Sequence, residues 1–405
     1  MGKEVVRTFE REISIAMAFF LITATYGWIL RLYKVVDFIP FGYKDILQAH
    51  SHVTFLGWGF FATVALIRRA FYPGLELLAR RTHRMYYVMV LALTGLLISF
   101  PLQGYKFFSI LFLSLFLLAS YIYLHGVLKN LKKDHGLSAR FVRTGIYFYY
   151  LSSLGIWALP PVVLELGKGD LYFDTIYFYL HFLYNGFFVF ALFGVFLKLL
   201  QLGGTRTIEK DWKWFYLMTA AACIPAYALS LLWTAVPDWV YGLAVASAIV
   251  QWAALFYLYR ILRKEICTLS GLVHRVLLLL VSIAYALKVT FQLMSVFPSI
   301  LAEVMRYKHF FVIGYLHLYT LGFMSLLLLF LVALASKRSW SPAGLLLLLF
   351  GILLSEAMLF GQGVLLVTGA TAIPSFDLVL LLVSAFMPVG IFWMLTGRIR
   401  ERYTR

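Results

Sequence analysis

His52-Val-Thr-Phe-Leu-Gly57-Trp58, His181-Phe-Leu-Tyr-Asn-Gly186-Phe187 and His317-Leu-Tyr-Thr-Leu-Gly322-Phe323 repeat one pattern: His, four residues, Gly, then Trp or Phe. The chain has nine His and 29 Gly in 405 residues, so three matches exceed what composition supplies. The copies are 129 and 136 residues apart (52 to 181, 181 to 317), and each opens an apolar run. An imidazole inside an apolar run is costly and marks a functional site by default. Histidine is also the commonest metal ligand. The pattern therefore points to a metal or haem site served by three helices.

The surrounding composition fixes the class. The chain is 62% hydrophobic and 13% charged, with mean hydropathy +0.87, a balance that long membrane-spanning stretches produce. A formal charge of +17 suits nucleic acid, but the basic residues cluster between apolar segments, so no nucleic-acid role is expected. Cys223 lies in an apolar run and Cys267 in a basic loop, which indicates neither a disulfide framework nor a thiolate metal site. The start, MGKEVVRTFEREIS, is too polar and acidic for a typical signal segment, so the first apolar run reads as an uncleaved helix.

Apolar windows predict twelve spans, at 13–30, 48–67, 84–102, 107–128, 143–163, 174–200, 213–235, 238–259, 271–297, 309–336, 342–368 and 374–397. Basic loops hold Arg68, Arg69, Arg80, Arg81 and Arg84, then Lys129, Lys132, Lys133, Arg140 and Arg143. The series continues with Arg206, Lys210 and Lys213, with Arg260, Arg263 and Lys264, with Lys337 and Arg338, and with Arg398 to Arg405. These alternate with basic-poor loops holding Asp170, Asp174 and Asp238, so the basic side and both termini are expected in the cytoplasm. The expected architecture is an all-α integral membrane protein, residues 1–405 forming a single polytopic domain with a pseudo-threefold bundle. The expected location is a bacterial inner membrane, with the lipid bilayer as partner.

In this topology His50 and His52 open the second span, His181 lies in the first turns of the sixth, and His309 opens the tenth, with His317 about 12 Å deeper. Five His thus gather in the outer leaflet, on helices four apart in order. His83, His125, His135 and His274 fall at the inner face. On an ideal α-helix the motif Gly sits about 140° from its His, a place for close helix packing or for a flat ligand. Lys44, Arg306 and Lys308 stand beside the His-bearing helix starts, as a clamp for haem propionates would. Asn185, four residues after His181, shares its face and suits a supporting bond. Lys288 and Glu356 are the deepest ionisable residues, expected either to pair with each other or to supply a proton path.

Twelve spans and outer His on spans two, six and ten resemble the catalytic subunit of haem-copper oxidases and nitric oxide reductases. Gln48-Ala49-His50-Ser51-His52 is similar to that family's second-helix haem-ligand segment, and to the His-x-His segment of the NnrS group of membrane haem proteins. His309 to His317 resembles the tenth-helix segment, and Leu180-His181 falls where the sixth helix supplies a copper ligand. The resemblance implies haem b held by His52 or His50 with His317. It implies copper as a further metal at His50, His181 and His309, and a quinol or another respiratory subunit as electron donor. The chain departs from that family in the seventh span, where Leu231-Leu232-Trp233 has no His, and in the tenth, where Tyr315 or Tyr319 takes the place of a second His. The expected function is electron transfer or O2 or NO chemistry of the oxidoreductase type. The alternatives are a metal or haem transporter and a non-catalytic respiratory subunit.

Overall fold

The computed structural model describes residues 3–37, 39–72, 80–204, 208–269, 271–336 and 339–403. Arg206, Lys337, Arg338 and Arg405, four members of the basic series, lie outside the described residues, as do the side chains of Arg80, Arg400 and Arg402. The described residues contain helices and no strand. Among the described residues, eleven helices are long and apolar enough to cross a membrane, and counting the bent pair Glu209–Cys223 and Pro225–Leu231 as one span gives twelve. The chain is an all-α, multi-pass membrane protein.

The spans are α1 (Lys3–Leu32), α2 (Tyr43–Phe71), α3 (Arg80–Gln103), α4 (Phe107–Leu131), α5 (Leu137–Leu166) and α6 (Asp170–Leu202). They continue as α7 (Glu209–Cys223, then Pro225–Leu231), α8 (Asp238–Thr268), α9 (Leu272–Met294), α10 (Lys308–Ser336), α11 (Pro342–Val367) and α12 (Phe376–Ser384, then Phe386–Tyr403). A short helix, Pro298–Arg306, precedes α10.

Two differences from the apolar windows have physical causes. First, α1 starts about ten residues before its window. Two of its early polar residues are buried, where Glu12 pairs with Arg68 of α2 at 2.6 Å and Glu10 with Arg398 of α12 at 2.8 Å. All four side chains are nearly inaccessible. The acidic residues that argue against a signal segment thus tie α1 to two neighbours, and removing one partner of such a pair costs about 3–5 kcal/mol. Second, the seventh span is broken rather than straight. Pro225 has no N–H and its ring clashes with the preceding turn, so the helix bends by 50° and continues as a 3-10 helix.

The chain forms two compact units: Met1–Lys133 with Val332–Arg405, and Asp134–Leu331. In the first, α3 packs on α4, α11 on α12, and α1 on α2 and α12. In the second, α5 packs on α6, α8 on α7 and α9, and α9 on α10. Neighbour pairing therefore recurs with a period of four spans, as the spacing of the motifs predicts.

Each motif carries the same local device. A π-helical segment begins directly after each motif His: Val53–Phe60, Phe182–Phe188 and Leu318–Ser325. The five-residue step from His to Gly equals the bonding interval of a π-helix, a rare form found mostly at functional sites. The angle drawn from an ideal α-helix therefore does not apply to the motif Gly. A Cβ on Gly57 would lie 2.8 Å from Phe19 Cβ, one on Gly186 2.7 Å from Phe148 Cγ, and one on Gly322 3.1 Å from Ala284 Cβ. The next residue packs its ring on the next residue of the same neighbour: Trp58 stacks on Phe20 at 4.6 Å, Phe187 meets Tyr149 edge to face at 5.2 Å, and Phe323 tilts on Tyr285 at 4.8 Å. The partner is 38 residues earlier each time (19 to 57, 148 to 186, 284 to 322). The Gly is thus a helix-packing residue, and the threefold repeat extends to the preceding helix.

Two predictions follow from this packing. Gly186→Ala should destabilise the protein by about 1–3 kcal/mol through overpacking against Phe148. Gly361→Ala, where an added Cβ meets nothing within 4 Å, should be neutral or stabilising by up to about 1 kcal/mol. Thermal unfolding in detergent compares the two. Within the second unit, at the basic side, Asp134 binds Lys198 at 3.1 Å and the Gly136 N–H at 2.8 Å. Partial burial raises its pKa, but the Gly136 N–H, Lys198 and Arg143 outweigh this and hold it below the usual range. Its contribution is then full above the unfolded carboxyl value of about 4 and is lost as pH falls through the folded value. Asp134→Asn should flatten the acid limb of a stability–pH curve.

Candidate functional site

In the first unit, the start of α2 presents His50 and His52 in different ways. The His50 Nδ1–H donates to the Thr23 carbonyl of α1 at 2.8 Å. The Thr23 hydroxyl donates to the His50 carbonyl at 2.9 Å and lies 2.6 Å from the Thr54 hydroxyl. Gly27 leaves room for the ring, since a Cβ there would lie 3.0 Å from His50 Cε1. His50 is thereby fastened to α1. His52 is oriented by its own helix: its Nδ1–H donates to the Gln48 carbonyl at 2.8 Å, one turn back. That bond fixes the tautomer and leaves the Nε2 lone pair pointing outward, where the Tyr105 hydroxyl donates to it at 3.0 Å. Phe100, fully buried, backs the ring at 4.8 Å. Lys44 is exposed in the first turn of the same helix, eight residues before His52.

In the second unit, His181 is 3% exposed and has both ring nitrogens engaged. Its Nε2–H donates to the Cys223 carbonyl at 2.8 Å, and its Nδ1 accepts from Asn185 Nδ2 at 3.2 Å. The carbonyl is available because of Pro225: the Tyr227 N–H, which in a continuous α-helix would reach Cys223, bonds Ile224 instead. His181 therefore fastens the break in α7 to α6. Tyr227 and Trp233 add bonds to the Asp174 carbonyl and carboxylate at 2.9 and 3.1 Å.

Asn185 holds its expected place beside His181, and its Oδ1 accepts from Lys288 of α9. Lys288 is 1% exposed, and its ammonium also lies 5.6 Å from the Tyr285 ring centre. Among the described residues no carboxylate pairs with Lys288. Glu356, in the first unit, lies within electrostatic reach of Arg31. The Tyr319 hydroxyl donates to the Tyr184 carbonyl at 2.8 Å and the two rings stack at 5.0 Å, so the π segments of α6 and α10 touch. His317 is half-buried at the end of the first part of α10. Lys308 and His309 are exposed in the first turn of that helix, and Arg306, also exposed, faces Glu303 at 3.9 Å.

The structure thus brings His181 and Asn185 together with Lys288, and sets His52 beside Tyr105 and His50 beside Thr23. Among the described residues no group of three or more His, Cys, Asp or Glu is arranged as metal ligands. Thr23, Tyr105 and the Cys223 carbonyl were not among the sequence candidates. The first two come from helices or turns distant in sequence, and the third is a backbone group freed by a proline. No protein-family model and no curated protein matches the chain.

The chain of bonds through Asn185 predicts a strong coupling. Asn185→Leu leaves the Lys288 ammonium and the His181 Nδ1 buried without it and should cost about 3–5 kcal/mol. Adding Lys288→Met should recover part of that loss, giving a non-additive double-mutant cycle in detergent unfolding.

Proposed function

We propose that this protein is a haem-binding, oxidase-like component of a bacterial cytoplasmic membrane, acting in electron transfer or in O2 or NO chemistry. The observation that supports the reading is the state of His52. A metal-ligating imidazole donates its other N–H to a carbonyl or carboxylate, and His52 does this through Gln48 while holding its Nε2 lone pair outward. The cations fit as well. Lys44 precedes His52 by eight residues and Lys308 precedes His317 by nine, each exposed at the start of its helix, where a propionate would need a positive charge.

Bound haem would supply a redox-active iron. The chain's own part in the first unit is to offer Nε2 of His52, to back the ring with Phe100, and to set the exposed Lys44 at the start of the same helix for a propionate. Electrons would come from a quinol or another respiratory subunit. Copper is not part of the proposal. Of its three expected ligands, His181 has both nitrogens bound, His50 is fastened to Thr23, and His309 is exposed on a helix start.

A second reading, transport of a metal or haem, is favoured by one pair of observations: the broken α7 and the buried Lys288 beside it. Discontinuous helices and intramembrane charges are features of transporter sites. Uptake of the ion or haem into vesicles, reduced in Lys288→Met, would decide for it.

The reduced-minus-oxidised absorption spectrum of the purified protein, with a pyridine haemochrome assay, tests the main reading. A Soret band is expected, and it should be lost in His52→Ala and diminished in His317→Ala. A protein without a Soret band after haem-replete expression would sink the proposal.

A further inference from the structure

Tyr105 is half-exposed, in the turn joining α3 to α4. Its position is set by backbone. Gly104 has φ +63°, a left-handed conformation that suits glycine, and its N–H bonds the Phe100 carbonyl at 2.8 Å. The Gly104 backbone lies so close to the Asp45 carboxylate of α2 that a Cβ there would collide with it. The turn is thereby seated on the helix that carries His52. Three rings meet at this point. His52 and Phe100 are 4.8 Å apart, Phe100 and Tyr105 5.0 Å, and His52 and Tyr105 5.7 Å. Phe100 is fully buried, whereas Tyr105 has 50% of its surface in contact with the surroundings. Of the three rings, Tyr105 is therefore the one with open surroundings into which it could turn.

From this arrangement we infer that Tyr105 is the gate of the His52 site: its hydroxyl occupies the Nε2 lone pair, and any electrophile or metal that binds His52 must first displace it. The inference rests on the haem reading for the identity of the incoming ligand, but the cap on Nε2 is independent of that reading. The lone pair can serve one partner at a time, the phenol proton or a metal. Tyr105 is accordingly a positioning residue that controls the rate and strength of ligation, and the glycine turn is what seats it over His52.

The test uses the full-length protein in detergent and two probes. The unprotonated imidazole nitrogen attacks one carbonyl of diethyl pyrocarbonate, an N–C bond forms as the C–O bond to ethyl carbonate breaks, and ethyl carbonate takes up the proton shed by the ring and decomposes to ethanol and carbon dioxide. Its rate at His52, followed by peptide mass spectrometry, should rise about three- to tenfold in Tyr105→Phe, the range that losing one net hydrogen bond allows. The rate at exposed His309 should not change. Tyr105→Phe keeps the ring that packs on Phe100, and an unchanged circular-dichroism spectrum verifies the fold. Hemin is the second probe, and its association should be faster in Tyr105→Phe by a similar factor.

An unchanged rate at His52, or a rise shared by His309, would overturn the gate. The two proposals fail separately. Accelerated acylation with no hemin binding in either protein would support the gate and end the haem reading. Equal hemin association in both proteins with unchanged acylation would end the gate and leave the haem reading standing.

Discussion

The approach of each motif glycine to the helix before it is the constraint on which the rest of the structure depends. A side chain at Gly57 or Gly186 would collide with Phe19 or Phe148, so the two backbones come closer than ordinary side chains allow. In a bilayer no hydrophobic force drives helix against helix, and close packing of small residues takes its place. The widened π turn at the same point lets the Gly and the following aromatic both face the neighbour. Trp58, Phe187 and Phe323 then fill the adjoining space against Phe20, Tyr149 and Tyr285. Repetition of this joint in α2, α6 and α10 gives the chain its four-span period.

The histidine that starts each π segment lies where the local helix geometry changes, and the surroundings use it differently. At α2 the ring is turned by a carbonyl of its own helix and keeps a nitrogen toward Tyr105. At α6 the ring closes a break in another helix and has no nitrogen to spare. One motif therefore yields a candidate ligand in one copy and a structural clamp in another. The difference comes from neighbours: the turn at Gly104 in one case, Pro225 in the other. Buried polar groups in a membrane must find partners within the protein, and the two arrangements are two solutions to that demand.

Much of the fold was legible in the chain because membrane spans obey a one-dimensional rule: about 20 apolar residues cross the hydrocarbon. Helices were placed by their apolar runs, and Asn185 was found from helical spacing alone. The limits are equally specific. The early start of α1 was hidden because Glu10 and Glu12 look solvent-facing until Arg398 and Arg68 arrive from distant segments. The bend in α7 was signalled by Pro225, but the carbonyl it releases has no signature in sequence. The π segments were present in the five-residue spacing and were read with α-helical angles.

By itself, then, the sequence determined the class, the span order, the threefold repeat and the histidines worth considering. Hydropathy and periodic spacing are properties of contiguous residues, and they act before any long-range contact forms. Only the tertiary structure decided the partner of each polar group: Tyr105 for His52, Thr23 for His50, the Cys223 carbonyl for His181 and Asn185 for Lys288. These bonds join residues 27 to 103 positions apart. Which of several polar groups meets another across such distances depends on how helices pack, and so on the whole chain at once.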